Sequence, residues 1–396
     1  MRLLALTCFV QLLPAQIGGN GSSGPLTPAA DVTLDTTANG GVFQFTTIAI
    51  PAGVTVRLRG PNPAVILCRG SASIAGDLEA DAQGPMPGPG GWRGGTSTVG
   101  LGVVGETGHG PGGGAGALGG LSMDFLGKPA AHASAGTGSA PPYGAILPFD
   151  LRGGSGGGGG TYPTAGGVGP NGGGGGGALA LFVDGSLTIS GSVRARGGDV
   201  TVSFPPPAGR GGPGSGGAIV VRALQCVRVS GLIDAAGGVD AGSTARGGDG
   251  FVRVDGYSSC GMPDLTGATV RPAPSVAALP YLTQLAVPRL GQIWQVRCAS
   301  VPGDSLGTWV SLSTLAVPFP PYGTVYLDTR PGAGFTFLGA LPVPPGGIDP
   351  MAGFDLPVPA DPVLVGVTFH SQMFNILGTA TGRPRLSNLL SSTVLP

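Results

Sequence analysis

Apolar residues return at alternate positions in three short bursts between Ala178 and Ala195. Leu179, Leu181 and Val183 form the first, Leu187 and Ile189 the second, Val193 and Ala195 the third. Thr188, Ser190 and Arg194 fill intervening positions, and glycine or a small polar residue separates the bursts. Period-two alternation sends every second side chain to one face of a strand. The stretch therefore predicts three short strands, each with one apolar face.

The plan recurs. Aligned on Gly76, Gly191 and Gly231, residues 73–80, 188–195 and 228–235 share the pattern apolar, small, Gly, any, apolar, any, Ala. Upstream, Leu179, Leu181, Val183, Leu187 and Ile189 match Ile219, Val221, Ala223, Val227 and Val229. Gly250–Gly256 starts a partial copy that matches Gly217–Ala223, and Val42–Ile50 and Val54–Arg59 read as the opening strands. One such segment cannot bury its apolar face alone, whereas stacked copies can. The expectation is an all-β chain built on a parallel β-solenoid with about 21 residues to a coil.

Glycine-rich tracts follow the repeat at one point, after Ala80, Ala195 and Ala235. They are expected to leave one edge of the solenoid and to lie against one another. The first, about 84–177, also carries Trp92, Met123, Phe125, Tyr143 and Phe149, which predicts a loosely packed lobe; a floppy linker is the alternative. Poly-glycine ends near Ala277. Proline-punctuated strands follow at Gln292–Cys298, Trp309–Leu315, Thr324–Asp328, Phe335–Leu341, Val363–His370 and Leu386–Val394. Their spacing predicts an antiparallel β-sandwich. The expected domains are a solenoid over 17–264 and a sandwich over 277–396.

Composition changes the picture in one respect. Eighty glycines and 39 prolines alone would imply disorder, but 41% hydrophobic and 10% charged residues place the glycines on an apolar framework. Zero net charge, without a basic stripe, argues against nucleic acid. Arg2 followed by apolar Leu3–Leu13 and Pro14-Ala15-Gln16 reads as a signal peptide over 1–16. It is too short to span a bilayer, and no later stretch reaches the ~18 apolar residues of a membrane helix. The expected location is secreted or cell-surface, with no membrane span after the leader is removed.

Cys68, Cys226, Cys260 and Cys298 then remain. Shifting Cys226 by the local repeat lands on Ser259, beside Cys260. Neighbouring strands stand about 4.8 Å apart, within disulfide reach, so Cys226–Cys260 is the preferred bridge. Cys68 aligns with inward positions and is expected to be a buried thiol. No cysteine or histidine cluster completes a metal set, no glycine motif opens a helix after a strand, and no cofactor is expected. His109, His132 and His370 are isolated in sequence, the first two read as solvated loop residues.

Two resemblances emerge from these motifs. Gly191–Gly198, Gly231–Gly238 and Gly172–Ala178 resemble the rungs and glycine inserts of secreted bacterial, planctomycete-like right-handed β-helix proteins. Val365–Gln372 and Leu386-Ser387-Asn388 resemble a C-terminal β module of exported planctomycete proteins. The first resemblance implies a right-handed solenoid. Neither implies a catalytic set.

Many β-helices act on polysaccharides through clustered carboxylates on an outward face. Here Glu79, Arg194 and Asp234 share one aligned column, with Asp77 and Arg196 nearby, and a solvated ladder of alternating charge outweighs catalysis. The favoured reading is a non-catalytic exported structural, adhesive or matrix-binding protein, its partner an extracellular polysaccharide or cell-surface matrix. The alternatives are a polysaccharide lyase or hydrolase, or a glycan-binding module using Trp294, Trp309 or Tyr322.

Overall fold

The computed structural model describes residues 17–100, 102–118, 127–137, 140–145, 151–162, 170–200, 210–257, 260, 262–300, 304–319, 323–344, 351–375 and 385–396. Residues 1–16, read from sequence as a signal peptide, and Tyr322 lie outside them. The chain divides into two compact units, 17–278 and 279–396.

In the first unit the chain visits three parallel sheets in a fixed cyclic order. The first sheet holds Val42–Phe45, Ala64–Cys68, Ala178–Val183, Ala218–Ala223, Phe251–Tyr257 and Ser275–Leu279. The second holds Ile48–Ile50, Ala72–Ile74, Leu187–Ile189 and Val227–Val229. The third holds Val32–Asp35, Thr55–Arg59, Asp77–Glu79, Ser192–Arg194, Leu232–Asp234 and Thr269–Arg271. Each strand lies in register with its counterpart one circuit on: Leu181 pairs Ile66 and Val221, Ile189 pairs Ile74 and Val229, Val193 pairs Leu78 and Ile233. These residues, with Leu58, Leu179, Leu187 and Val254, are buried in one core enclosed by the three sheets.

The predicted strand Val42–Ile50 is in fact two strands in different sheets, broken at Thr46-Thr47. The buried positions change parity there, from Phe43 and Phe45 to Ile48 and Ile50. A change of parity is what turning a corner requires when both halves must point inward.

The glycine tracts form neither a loose lobe nor a linker. Ten extended segments run alternately outward from the sheets and back. The outward ones are 92–98, 112–118, 152–162, 195–200 and 235–240; the returning ones are 104–110, 127–134, 170–178, 210–217 and 245–250. Segment 152–162 is surrounded by six others. Its donors cycle with period three: Gly156 and Gly159 donate to His109 and Glu106, Gly154 and Gly157 to Gly176 and Gly173, and Gly158 to Lys128, at 2.7–3.0 Å. It accepts from Trp92 and Gly95, from Gly114 and Ala117, and from Gly212 and Ser215. Segment 210–217 has its own ring of six, bonding to 127–134, 152–162, 170–178, 195–200, 235–240 and 245–250. Three residues per turn and no internal hydrogen bonds characterise the polyproline II conformation. The result is a hexagonal lattice of such segments joined laterally through the backbone.

At its centre most glycine positions leave no room for a side chain, and the Ser155 and Ser215 side chains are buried there. A methyl group on Gly157 would meet the Gly212 carbonyl, and one on Gly175 the Gly154 carbonyl. One aromatic cluster packs beside the lattice among the described residues: Tyr143 lies against Trp92 and His132, and His132 against Phe251. His132 is fully buried, its Nδ1 2.8 Å from the Gly216 carbonyl, rather than a solvated loop residue. Met123, Phe125 and Phe149 lie outside the described residues.

The second unit is antiparallel. Tyr281–Gln284, Ile293–Ala299 and Met351–Pro357 form one sheet; Thr336–Pro342, Ser305–Ser311, Thr368–Asn375 and Leu390–Thr393 form another. Leu282, Trp294, Val296, Leu306 and Met373 share its core. The predicted strand Trp309–Leu315 breaks at Leu312-Ser313, because the Ser311 hydroxyl donates to the Asp328 and Ala333 carbonyls and holds a turn. The predicted Val363–His370 begins as a helical turn, Pro362–Leu364, capped by Asp361 through the Val363 N–H.

Candidate functional site

The outward face of the third sheet carries the densest group of charges predicted from sequence. Arg57, Glu79, Arg194, Asp234 and Arg271 are successive cross-strand partners, so charge alternates along one column. The cause is local. Alternation points these residues outward while Val56, Leu78, Val193 and Ile233 point in, and parallel register stacks equivalent positions. Arg194 bonds Glu79 and reaches Asp81 at 3.2 Å; Arg57 lies 3.4 Å from Glu79 and 3.0 Å from Asp31; Arg196 lies 3.7 Å from Asp234. Asp77 accepts from the Ser192 hydroxyl. Glu79 and Asp234 are thus both salt-bridged, on the face of a sheet.

Asp81, the next outward residue after Glu79, was not singled out from sequence. Burial pushes its carboxyl up to about 6, against the opposing pull of the Arg196 N–H and the Arg194 charge. Its Oδ1 accepts from Arg196 N at 2.7 Å. It sits where the third sheet passes into the glycine lattice, so its desolvation comes from a neighbour the linear sequence does not reveal.

A second charged group lies on the lattice. Glu106 accepts from the Thr96 hydroxyl and N–H, and faces His109 and Arg93 at 2.9 Å. The two Thr96 bonds, then His109, hold its carboxyl down at about 2. Asp199, Asp240 and Asp249 each accept a backbone N–H, from Val239, Gly242 and Gly237. Among the described residues no group of three or more His, Cys, Asp or Glu is arranged to hold a metal ion.

Cys226 and Cys260 are joined, with Cα atoms 5.2 Å apart. Cys68 and Cys298 are buried free thiols, and burial pushes both up, Cys298 beyond the range of ordinary thiol chemistry.

In the second unit, Trp294 is buried, donates to Gln284 and stacks on Phe369, so it presents no face to a ligand. Trp309 is half-buried against Phe337 and Phe374. It lines a cavity of about 270 Å³ with Val325, Leu327, Phe335, Gln372 and Leu386. The Gln372 amide is engaged by the Thr324 and Ser387 carbonyls and the Tyr326 N–H.

Comparison with models of protein families, with curated proteins and with solved structures finds no match for this chain.

Proposed function

We propose that this chain is a non-catalytic exported scaffold with an adhesive or matrix-binding role. On this reading, residues 17–278 are a right-handed parallel β-solenoid stiffened by its glycine lattice, and residues 279–396 are a β-sandwich that attaches or presents it. The observation that carries the reading is the column Arg57–Glu79–Arg194–Asp234–Arg271. A hydrolase needs one carboxyl free to give a proton and another free to attack or to activate water. Here Glu79 and Asp234 are each held by arginine. The Cys226–Cys260 bridge supports an oxidising compartment. So does the apolar stretch Leu3–Leu13, read as part of a leader. Among the described residues no helix is long and apolar enough to cross a membrane.

The half-exposed Trp309 and exposed Phe335 and Phe337 favour one second reading, ligand binding by the C-terminal unit. Its cavity offers few free polar groups for the hydroxyls of a glycan.

A depolymerisation screen over neutral and anionic polysaccharides, run beside a glycan array, tests both. The expected result is no depolymerisation. Chain cleavage that disappears in Glu79→Gln or Asp234→Asn would overturn the scaffold reading. Glycan binding abolished by Trp309→Ala would establish the second one.

A further inference from the structure

The lattice stops one circuit before the sheets do. After Ala80, Ala195 and Ala235 the chain leaves the third sheet, runs through the lattice and re-enters the first sheet at Ala178, Ala218 and Phe251. After Arg271 it crosses directly to Ser275 through Pro272-Ala273-Pro274. The last pair of lattice segments, 235–240 and 245–250, therefore has no successor. A groove of about 420 Å³ lies at that position, lined by Ser134, Asp249 and Phe251 on the lattice side and by Pro272, Ala273 and Pro274 on the other.

The backbone of the groove is that of an unfinished lattice. Segment 210–217 bonds to six neighbouring segments, whereas 245–250 bonds to three, 127–134, 210–217 and 235–240. Beside the groove, the N–H and C=O groups of Ala133 and Ala273 make no hydrogen bond among the described residues. Such groups are the means by which lattice segments hold one another.

Charge points the same way. Elsewhere the lattice sets arginines against its carboxylates: Arg93 lies 2.9 Å from Glu106, Arg210 3.5 Å from Asp240 and Arg196 4.0 Å from Asp199. Asp249 accepts the Gly237 N–H and has no arginine partner among the described residues. The walls are apolar, with Phe251 facing a proline-rich crossing. Aromatic-lined grooves accept polyproline II peptides because these arrive with their conformation already set.

We propose that this groove binds a glycine- and proline-rich peptide carrying an arginine, held in the polyproline II conformation as the next segment of the lattice. Its arginine meets Asp249 as Arg210 meets Asp240, and its backbone pairs with Ala133 and Ala273. This gives the matrix-binding reading a peptide ligand and rests on that reading for its biological setting.

The test is fluorescence anisotropy of a labelled synthetic peptide, glycine-proline-arginine-glycine-glycine-proline-glycine-glycine, titrated with the full chain. Saturable binding is expected. Ala273→Trp places an indole in the groove from an exposed position and is expected to weaken binding by about tenfold or more. Asp249→Asn keeps an acceptor for the Gly237 N–H but loses the charge, and should weaken binding about threefold. An unchanged melting curve will show that each variant is folded. Absence of binding, an unaffected Ala273→Trp or Asp249→Asn, or equal binding of a peptide with glutamate in place of arginine would each overturn the proposal. So would self-association of the chain, lost in Ala273→Trp, without peptide binding. The depolymerisation screen is independent: a negative peptide titration beside a negative screen removes this site and leaves the scaffold reading standing.

Discussion

The three stacked sheets and the glycine lattice belong to one unit, yet opposite means hold them together. Between the sheets, side chains do the work: Leu181, Ile189, Val193 and their cross-strand partners fill a core from which water is excluded. In the lattice the side chain is the obstacle. Backbones approach until carbonyls of neighbouring segments occupy the space a Cβ would need, and each segment gains lateral hydrogen bonds from several neighbours. A buried backbone group left without a partner costs free energy comparable to a lost hydrogen bond, so full satisfaction makes such a glycine bundle viable. One fold therefore contains a region specified by what its residues carry and another specified by what they lack.

The comparison breaks most sharply at Gly157. Gly157→Ala is expected to destabilise the lattice by about 4 kcal/mol, since the obstacle is the backbone of Gly212 and Pro213 rather than a movable side chain. Hydrogen exchange should show lost protection over 153–160 and 172–177 while Leu179–Val183 keeps its own. Equal loss in both places would mean that the regions unfold as one. Gly53→Ala is the control. Gly53 has φ +79° with open space around it, and its replacement is expected to cost only about 1 kcal/mol.

Leu181→Ala should cost about 3 kcal/mol through transfer and cavity terms. Chemical denaturation should show it as a lower midpoint with an unchanged slope. Removal of the Cys226–Cys260 bridge, which spans 34 residues, should cost about 3 kcal/mol. That loss should be felt first in the neighbouring strand, as early exchange of the Phe251–Tyr257 amides.

The smallest expected effect is that of pH. Asp81 titrates near 6 in the fold, above its unfolded value of 3.8, because burial disfavours its charge. Its ionisation therefore opposes folding above about pH 6, and the penalty is relieved as pH falls from 6 towards 4. Glu106 runs the other way: its folded value near 2 lies below 4.5, so its contribution is present above 4.5 and lost as pH falls towards 2. Asp81→Asn should raise stability at pH 7 by about 1 kcal/mol, after discounting for the partial exposure of its side chain. It should also flatten the slope of stability between pH 4 and 7. An unchanged slope would mean that Asp81 is solvated.

The parallel strand register was legible because strand periodicity is local information. The alignment of Cys68 with Val183 and Ala223 reappears as cross-strand pairing. The column through Glu79, Arg194 and Asp234 follows from the same count. Short strands outside the repeat, Val32–Asp35 and Met351–Pro357, were not anticipated, since neither has a matched copy to support it. The alternation in Trp309–Leu315 misled, because nothing in it announces that Ser311 will turn back on Asp328 and Ala333.

By itself, then, the sequence determined which residues face the core between the sheets, which charges stack on the outward face, and where the glycine tracts leave the strands. Only the tertiary structure decided what those tracts become. A side-chain pattern can be read along a chain because each residue states its own preference for water or core. A polyglycine segment states none: its partners are carbonyls and N–H groups of segments distant in sequence, and its conformation is fixed only when all its neighbours are in place. The desolvation of Asp81 is a consequence of that lattice, which is why it could not be read from the chain alone.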